Sequence, residues 1–169
     1  MPLIFKLQAM ALNAFLNLQG RTQGPIKGGV TQRGREGTIL VIEANHEIVA
    51  PVANTGGGGA VGKRVHKPFV IRKEVDKSSP LLYQAMVKTE DLNIWELKFY
   101  TVTGTGIEIQ NYTVKLTDAF ITDIRFFLPD TKDAGSSKLN PYEEIEFTYR
   151  SIEWIWVDNN ITATDQWQP

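Results

Sequence analysis

Between Asn54 and Arg64 the chain reads NTGGGGAVGKR. Gly57, four residues, Gly62 and Lys63 spell G-x-x-x-x-G-K, one position short of a phosphate-binding loop, because Arg64 stands where a Ser or Thr would hold magnesium. Such a loop works only when it follows a buried strand and opens a helix whose N-terminal N–H groups face the phosphates. The residues that follow, VHKPFVIRKEV, carry Pro68 and alternate apolar with polar, so they predict a strand. The glycine run therefore reads as a surface loop, and no nucleotide or other cofactor is expected.

Other residue sets are weaker still. His46 and His66 are the two histidines, with Glu43, Glu47 and Glu74 nearby in sequence, and two imidazoles with one carboxylate could hold a metal. On alternating strands a lone His reads instead as a surface or rim residue, so no metal site is assigned. Glu144 and Glu146 share one strand face in EEIE, a pairing that can cleave glycosides but is more simply a solvated face. There is no Gly-x-Ser-x-Gly elbow, and Ser78 and Ser79 read as helix-entry residues. Of the four tryptophans, Trp95 and Trp154 fall on apolar faces and suit a core, while Trp167 needs a packing partner, with a neighbouring subunit one choice. No residue set is assigned as catalytic.

Composition narrows the classes further. A net charge of −1 over 169 residues offers no basic field for nucleic acid or anionic lipid. The absence of cysteine removes disulfides, thiolate zinc sites, iron–sulfur clusters and cysteine nucleophiles. No apolar run approaches the roughly 20 residues of a membrane helix, so no membrane insertion is expected. The start, MPLIFKLQAMALNAFLNLQG, has its one cation, Lys6, inside the apolar stretch, which Gln8 and Asn13 interrupt. That is a poor cleaved signal, and export, if any, would use another route.

The elements that must position these residues are mostly strands. In NIWELKFYTV, Trp95, Leu97 and Phe99 share a face. Val65, Phe69, Ile71 and Val75 are placed on one face, with Arg64, His66, Arg72 and Glu74 on the other. Phe120, Ile124, Phe126 and Leu128 align in a third strand. Two stretches change parity: from Ile107 and Ile109 to Tyr112, Val114 and Leu116, and from Ile145, Phe147 and Tyr149 to Ile152, Trp154 and Trp156. A bulge is expected at each, and long bent antiparallel strands predict a barrel or a tightly closed sandwich. One helix is expected in DKSSPLLYQAMVK, with Ser79 as N-cap, Pro80 as first helical residue, and Leu82, Ala85 and Met86 as its apolar stripe. Loops are expected at 20–37, 50–63 and 129–142.

From Gly62 to Met86, GKRVHKPFVIRKEVDKSSPLLYQAM, the sequence resembles the haemolysin-coregulated protein (Hcp) family, which forms the inner tube of the bacterial type VI secretion system. The likeness extends to FLNLQGRTQGPIKGGV, REGTILVIEANHEI, IWELKFY, EEIEFTYRSIEWIWV and TDQW. It implies a mainly β fold: a closed barrel of two antiparallel sheets with one short flanking helix, similar to phage tail-tube proteins. It further implies homohexameric rings that stack into tubes and carry effectors in the lumen. The implied partners are a contractile sheath, a tip spike protein and the secreted effectors. Cytoplasmic residence before firing, then export without a cleaved signal, is implied too, and no enzymatic activity. Toxin-bearing members have a further domain after the barrel, which is not expected past Trp167.

Residue by residue, the long loop from Pro51 to Lys63 matches the family loop that projects from one ring face. Asn54, Thr55, Gly56, Gly57, Gly58, Gly59, Lys63 and Arg64 are thereby candidates for contact with the next ring. Ser79, Pro80, Leu82, Tyr83 and Met86 match the flanking helix. The family domain is placed at 12–169, with 1–11 an extension read as a start-site artefact. A monomeric β-sandwich that binds carbohydrate or another ligand through its tryptophans is the alternative.

Overall fold

A computed structural model describes residues 11–52 and 62–167. In chain order the first half gives β1 (Ala14–Gly20), β2 (Gly24–Pro25), β3 (Ile39–Val41), β4 (Glu43–Asn45), β5 (Ile48–Val49), β6 (Val65–His66), β7 (Phe69–Glu74) and α1 (Ser79–Val87). The second half gives β8 (Leu92–Val102), β9 (Glu108–Thr117), β10 (Phe120–Phe127), β11 (Tyr142–Thr148), β12 (Ser151–Trp156) and β13 (Ile161–Gln166). All the strand pairings are antiparallel.

The alternation in β8 is what organises the interior. Trp95 and Leu97 point inward and are fully buried, while β8 is flanked by β1 on one side and β9 on the other. The sheet built around it runs β13-β12-β9-β8-β1-β2, with β3 also on β1. A second sheet runs β10-β11-β7-β4, and β5 and β6 form a separate two-stranded ribbon. The inner faces meet in one core: Leu16, Leu97, Val114, Leu116 and Ile152 from the first sheet, Phe69, Ile71, Ile145 and Phe147 from the second. Trp95 is its aromatic centre, edge-on to Phe69 at 5.0 Å and to Phe147 at 5.5 Å. Such pairs add about 0.5–1.5 kcal/mol beyond the area they bury.

The two parity changes have different causes. In β9 there is a bulge: Phe99 faces Tyr112 but Tyr100 faces Gln110, which leaves Asn111 as the extra residue. At Tyr149 and Arg150 there is none. The chain leaves the second sheet at the end of β11 and enters the first at β12, so the inward side is reset by a corner. The same crossing occurs after β3, where Ile42 separates a strand of the first sheet from β4 of the second.

Two antiparallel sheets and one helix are therefore as expected, but the pairings do not run into a closed barrel. Among the described residues β10 and β13 stand at outer positions of their sheets, and the sheets join through these corners instead of a continuous ladder. The helix α1 packs against β10, with Leu82 and Ala85 buried and Met86 packed against the core.

Three placements differ from the alternation expected. His66 is buried and Val65 half exposed, because β6 belongs to the small ribbon and does not continue β7. Lys73 lies on the inward side with Phe69 and Ile71, whereas Val75, beyond the end of β7, is exposed. In β10, Ile121 is buried and the pairing slips between Ile121 and Asp123, while Phe126 and Leu128 emerge at the exposed end.

Candidate functional site

The segment at 50–63 connects β5 to β6, which pair with Ile48 facing His66 and Val49 facing Val65. Asn54, Thr55, Gly56, Gly57, Gly58 and Gly59 lie outside the described residues. The loop's returning end is described: Gly62 has φ +112°, a conformation strained for any residue with a Cβ, and Lys63 and Arg64 follow, both exposed. After them come β6 and β7, so a strand stands where a phosphate loop would open a helix.

The base of this loop is tied to the far end of the chain. The Arg64 guanidinium grips both carboxylate oxygens of Asp165 on β13. Asp165 Oδ2 also lies 2.9 Å from His66 Nε2. The hydrogen bond from Arg64, reinforced by that from His66, holds the Asp165 carboxyl well below the usual carboxylate range. On its other side, His66 Nδ1 is 2.9 Å from the Tyr149 hydroxyl, which is 2.6 Å from His46 Nε2. Burial and, secondarily, the nearby Asp165 charge push the Tyr149 hydroxyl well up from its ordinary value. Burial, then the neighbouring His66, lowers the His46 imidazole from its ordinary 6.5. Trp167 covers the assembly, stacked on His66 at 6.1 Å and edge-on to Tyr149 at 5.0 Å. Trp167 thus finds its partners within its own chain. The histidines are not the rim residues expected: both are members of this network.

Helix α1 begins at Ser79, one residue earlier than the capping pattern predicted, and Ser78 occupies the N-cap position without capping through its side chain. Asp76 turns the chain into the helix instead, its Oδ1 accepting from Ser78 N–H at 2.9 Å and its Oδ2 from Gly29 N–H at 2.9 Å. Ser79 has a different role. Its hydroxyl donates to Glu143 Oε2 at 2.8 Å and accepts from Lys73 Nζ at 3.0 Å. Lys73 and Glu143 are themselves 3.1 Å apart and buried. Pro80 follows at the start of the helix and Leu82 faces the core, while Pro80 and Tyr83 are exposed and so open to an outside contact.

The remaining chemical sets disperse. Glu144 and Glu146 are not a free pair: Arg72 reaches Glu144 at 2.6 Å, and Arg125 pairs with Glu146. Glu43 pairs with Arg72, and Glu74 accepts from Asn140. Among the described residues no three His, Asp or Glu side chains are gathered as metal ligands. Among the described residues no helix is long and apolar enough to cross a membrane. Trp95 is in the core and Trp154 packs against it, so neither forms an open sugar platform.

What lies open is apolar surface. At one end of the seven-stranded sheet Val102, Ile107, Ile109, Trp156, Val157 and Ile161 are all exposed. They lie at neighbouring strand ends, since Thr101 faces Ile109 and Trp156 faces both Tyr112 and Ile161, with Val102 on the opposite face from Ile109. Sequence reasoning missed Tyr149 and Asp165 as partners of the histidines. It also missed Lys73, whose signal was present: positions 69, 71 and 73 share one parity.

Residues 15–156 match the family described as Type VI secretion system effector, Hcp. The "Major exported protein" of Pseudomonas aeruginosa is 34% identical over 168 residues, covering 94% of this chain and 97% of that protein. A crystal structure of an Hcp protein superposes with a TM-score of 0.85 at 30% identity, covering 93% of this chain and 98% of that one. The secreted protein Hcp3 of P. aeruginosa superposes with a TM-score of 0.77 at 30% identity, covering 95% and 100%. The chain belongs to the Hcp family of type VI secretion proteins.

Proposed function

We propose that this chain is the structural subunit of a type VI secretion inner tube: six copies form a ring with an open centre, and rings stack into a tube. The observation that carries this reading is the apolar end of the seven-stranded sheet, from Val102 to Ile161, beside the outer strand β13. An outer strand with exposed apolar side chains at the strand ends beside it is surface that a ring of subunits would cover.

In this reading the loop carrying Asn54 to Gly59, with Lys63 and Arg64 at its base, meets the face of the next ring. The tube is enclosed by a contractile sheath, capped by a tip spike protein, and carries effectors in its lumen. The subunit resides in the bacterial cytoplasm until firing and is then exported without a cleaved signal, in keeping with relatives named as exported and secreted. It has a conduit's role and no catalysis of its own.

Negative-stain microscopy of the purified protein tests this directly. Rings with an open centre and six-fold symmetry are expected. A monomer that persists at high concentration overturns the reading.

A further inference from the structure

His46, Tyr149, His66 and Asp165 come from four separate parts of the chain and stand in single file, with links of 2.6, 2.9 and 2.9 Å. Tyr149 has one proton, so it donates to one imidazole and accepts from the other. With Asp165 ionised, His66 carries a proton on Nε2 and donates it there. While His66 is neutral, its Nδ1 accepts from Tyr149, and His46 donates from Nε2 to the Tyr149 oxygen.

One added proton fits without the loss of a bond. His66 then donates from both nitrogens, Tyr149 turns its proton to His46, and His46 carries its own proton on Nδ1. A second proton does not fit. Both imidazoliums would aim N–H groups at the Tyr149 oxygen, the Tyr149 proton would lose its acceptor in the file, and two cations would sit with ring centroids 6.3 Å apart.

The charges around the file do not relieve this. Asp165 is already shared with Arg64. Glu47 and Lys67, the chain neighbours of the two histidines, are exposed, and Arg150, next to Tyr149, pairs with Asp118 at 2.7 Å. From β7 and β12 the neighbours are aromatic: Phe69 stacks on His46 at 5.3 Å, and Trp154 lies at 6.5 Å.

Asp165 and Trp167 are the half-buried points of a C-terminal strand that is otherwise exposed along its length. We propose that the His46–Tyr149–His66–Asp165 file is an acid-sensitive latch, fastening β13 to the stem of the 50–64 loop at neutral pH and opening when both histidines are protonated. This goes beyond the tube reading and does not depend on it, since the event is read on the strand itself.

The sign follows from His46. Its folded value lies below its unfolded one, so the closed state is favoured above the ordinary imidazole value of 6.5 and loses ground as pH falls below it. Asp165 is held far lower, so its own protonation belongs to a separate, much more acidic range.

Hydrogen exchange on the full chain, corrected for the intrinsic pH dependence, tests the latch. Between pH 7.5 and 5.5 the protection of the 161–167 segment is expected to fall, by at most about tenfold for one coupled proton, while that of β8 holds. In His46→Gln, which keeps a donor for Tyr149 but cannot titrate, the fall is expected to vanish. Unchanged protection in the wild type, or an equal fall in His46→Gln, overturns the proposal. Imidazole NMR on the wild type gives an answer without any variant: the His46 titration and the β13 amide shifts must follow one curve, and separate curves also overturn it.

Discussion

Lys73 places an ammonium where no water reaches, and three oxygens answer it: Glu143 Oε2 at 3.1 Å, Asp76 Oδ1 at 3.1 Å and Ser79 Oγ at 3.0 Å. Burial alone would raise the Asp76 carboxyl, but the Ser78 hydrogen bond and the Lys73 charge bring it below its ordinary value. That contribution is therefore present above the usual carboxylate range and is lost as pH falls through it. The group joins β7, β11 and the start of α1, so it fixes where the helix leaves the second sheet. A buried pair is costly to break and cheap to replace whole. Lys73→Met strands Glu143 and is expected to cost about 3–5 kcal/mol in urea unfolding, while Lys73→Met with Glu143→Leu returns close to wild type. A single variant that unfolds at the wild-type midpoint would sink this account. Ser79 follows the same logic: its truncation removes a bridge between two buried charges, a larger loss than that of the helix cap its spacing suggested.

At the scale of elements, the tightest fit is where the segment before β3 returns across that strand. Gly28 N–H donates to Gly37 O at 3.0 Å, and a Cβ on Gly28 would lie 2.4 Å from Thr38 O and 2.6 Å from Ile39 Cα. Those are backbone atoms of a paired strand and cannot turn aside. Gly28→Ala is expected to cost about 1–3 kcal/mol, with a melting temperature lower by about 2–4 °C for each kcal/mol. Gly104→Ala, with nothing within 4 Å of its added Cβ, is the control and should stay within about 0.5 kcal/mol. Calorimetry that found the two variants alike would refute the close-approach reading. The alternation around Trp95 and the helix after Pro80 were legible in sequence because each is a local period tied to one buried face. The corner at Tyr149 and Arg150 was not, since a bulge and a change of sheet shift parity in the same way. The histidine file could not be read at all: its hydrogen-bonded neighbours are up to 103 positions apart, and no local spacing encodes such a meeting. The loop at 54–59 was read from composition and lies outside the described residues, and what it touches is a matter between molecules.

At the scale of the whole molecule, the proposed tube assigns different work to two parts of the surface. The apolar end of the seven-stranded sheet has too much exposed hydrocarbon to be left in water, with Ile161 63% and Trp156 45% exposed. The run Gly56 to Gly59 brings no side chains, and glycine accepts backbone conformations closed to other residues, which suits the contact proposed for it. Removing Gly56 to Gly59 is therefore expected to leave rings that sediment as wild type and to reduce the fraction found in stacks. Trp156→Ser with Ile161→Ser removes aromatic and branched surface of the kind that dominates subunit contacts, and is expected to weaken association by about 2 kcal/mol or more. Both side chains are largely outside the core, so thermal unfolding of the protomer should change little. Analytical ultracentrifugation with microscopy separates the outcomes. If the loop deletion left stacking unchanged, the glycines would have no part in ring-to-ring contact. If the double substitution left association unchanged, the apolar end of the sheet would face solvent or another partner, and the contacts that build the ring would be sought at other exposed apolar groups such as Val87, Phe126, Leu128 and Leu139.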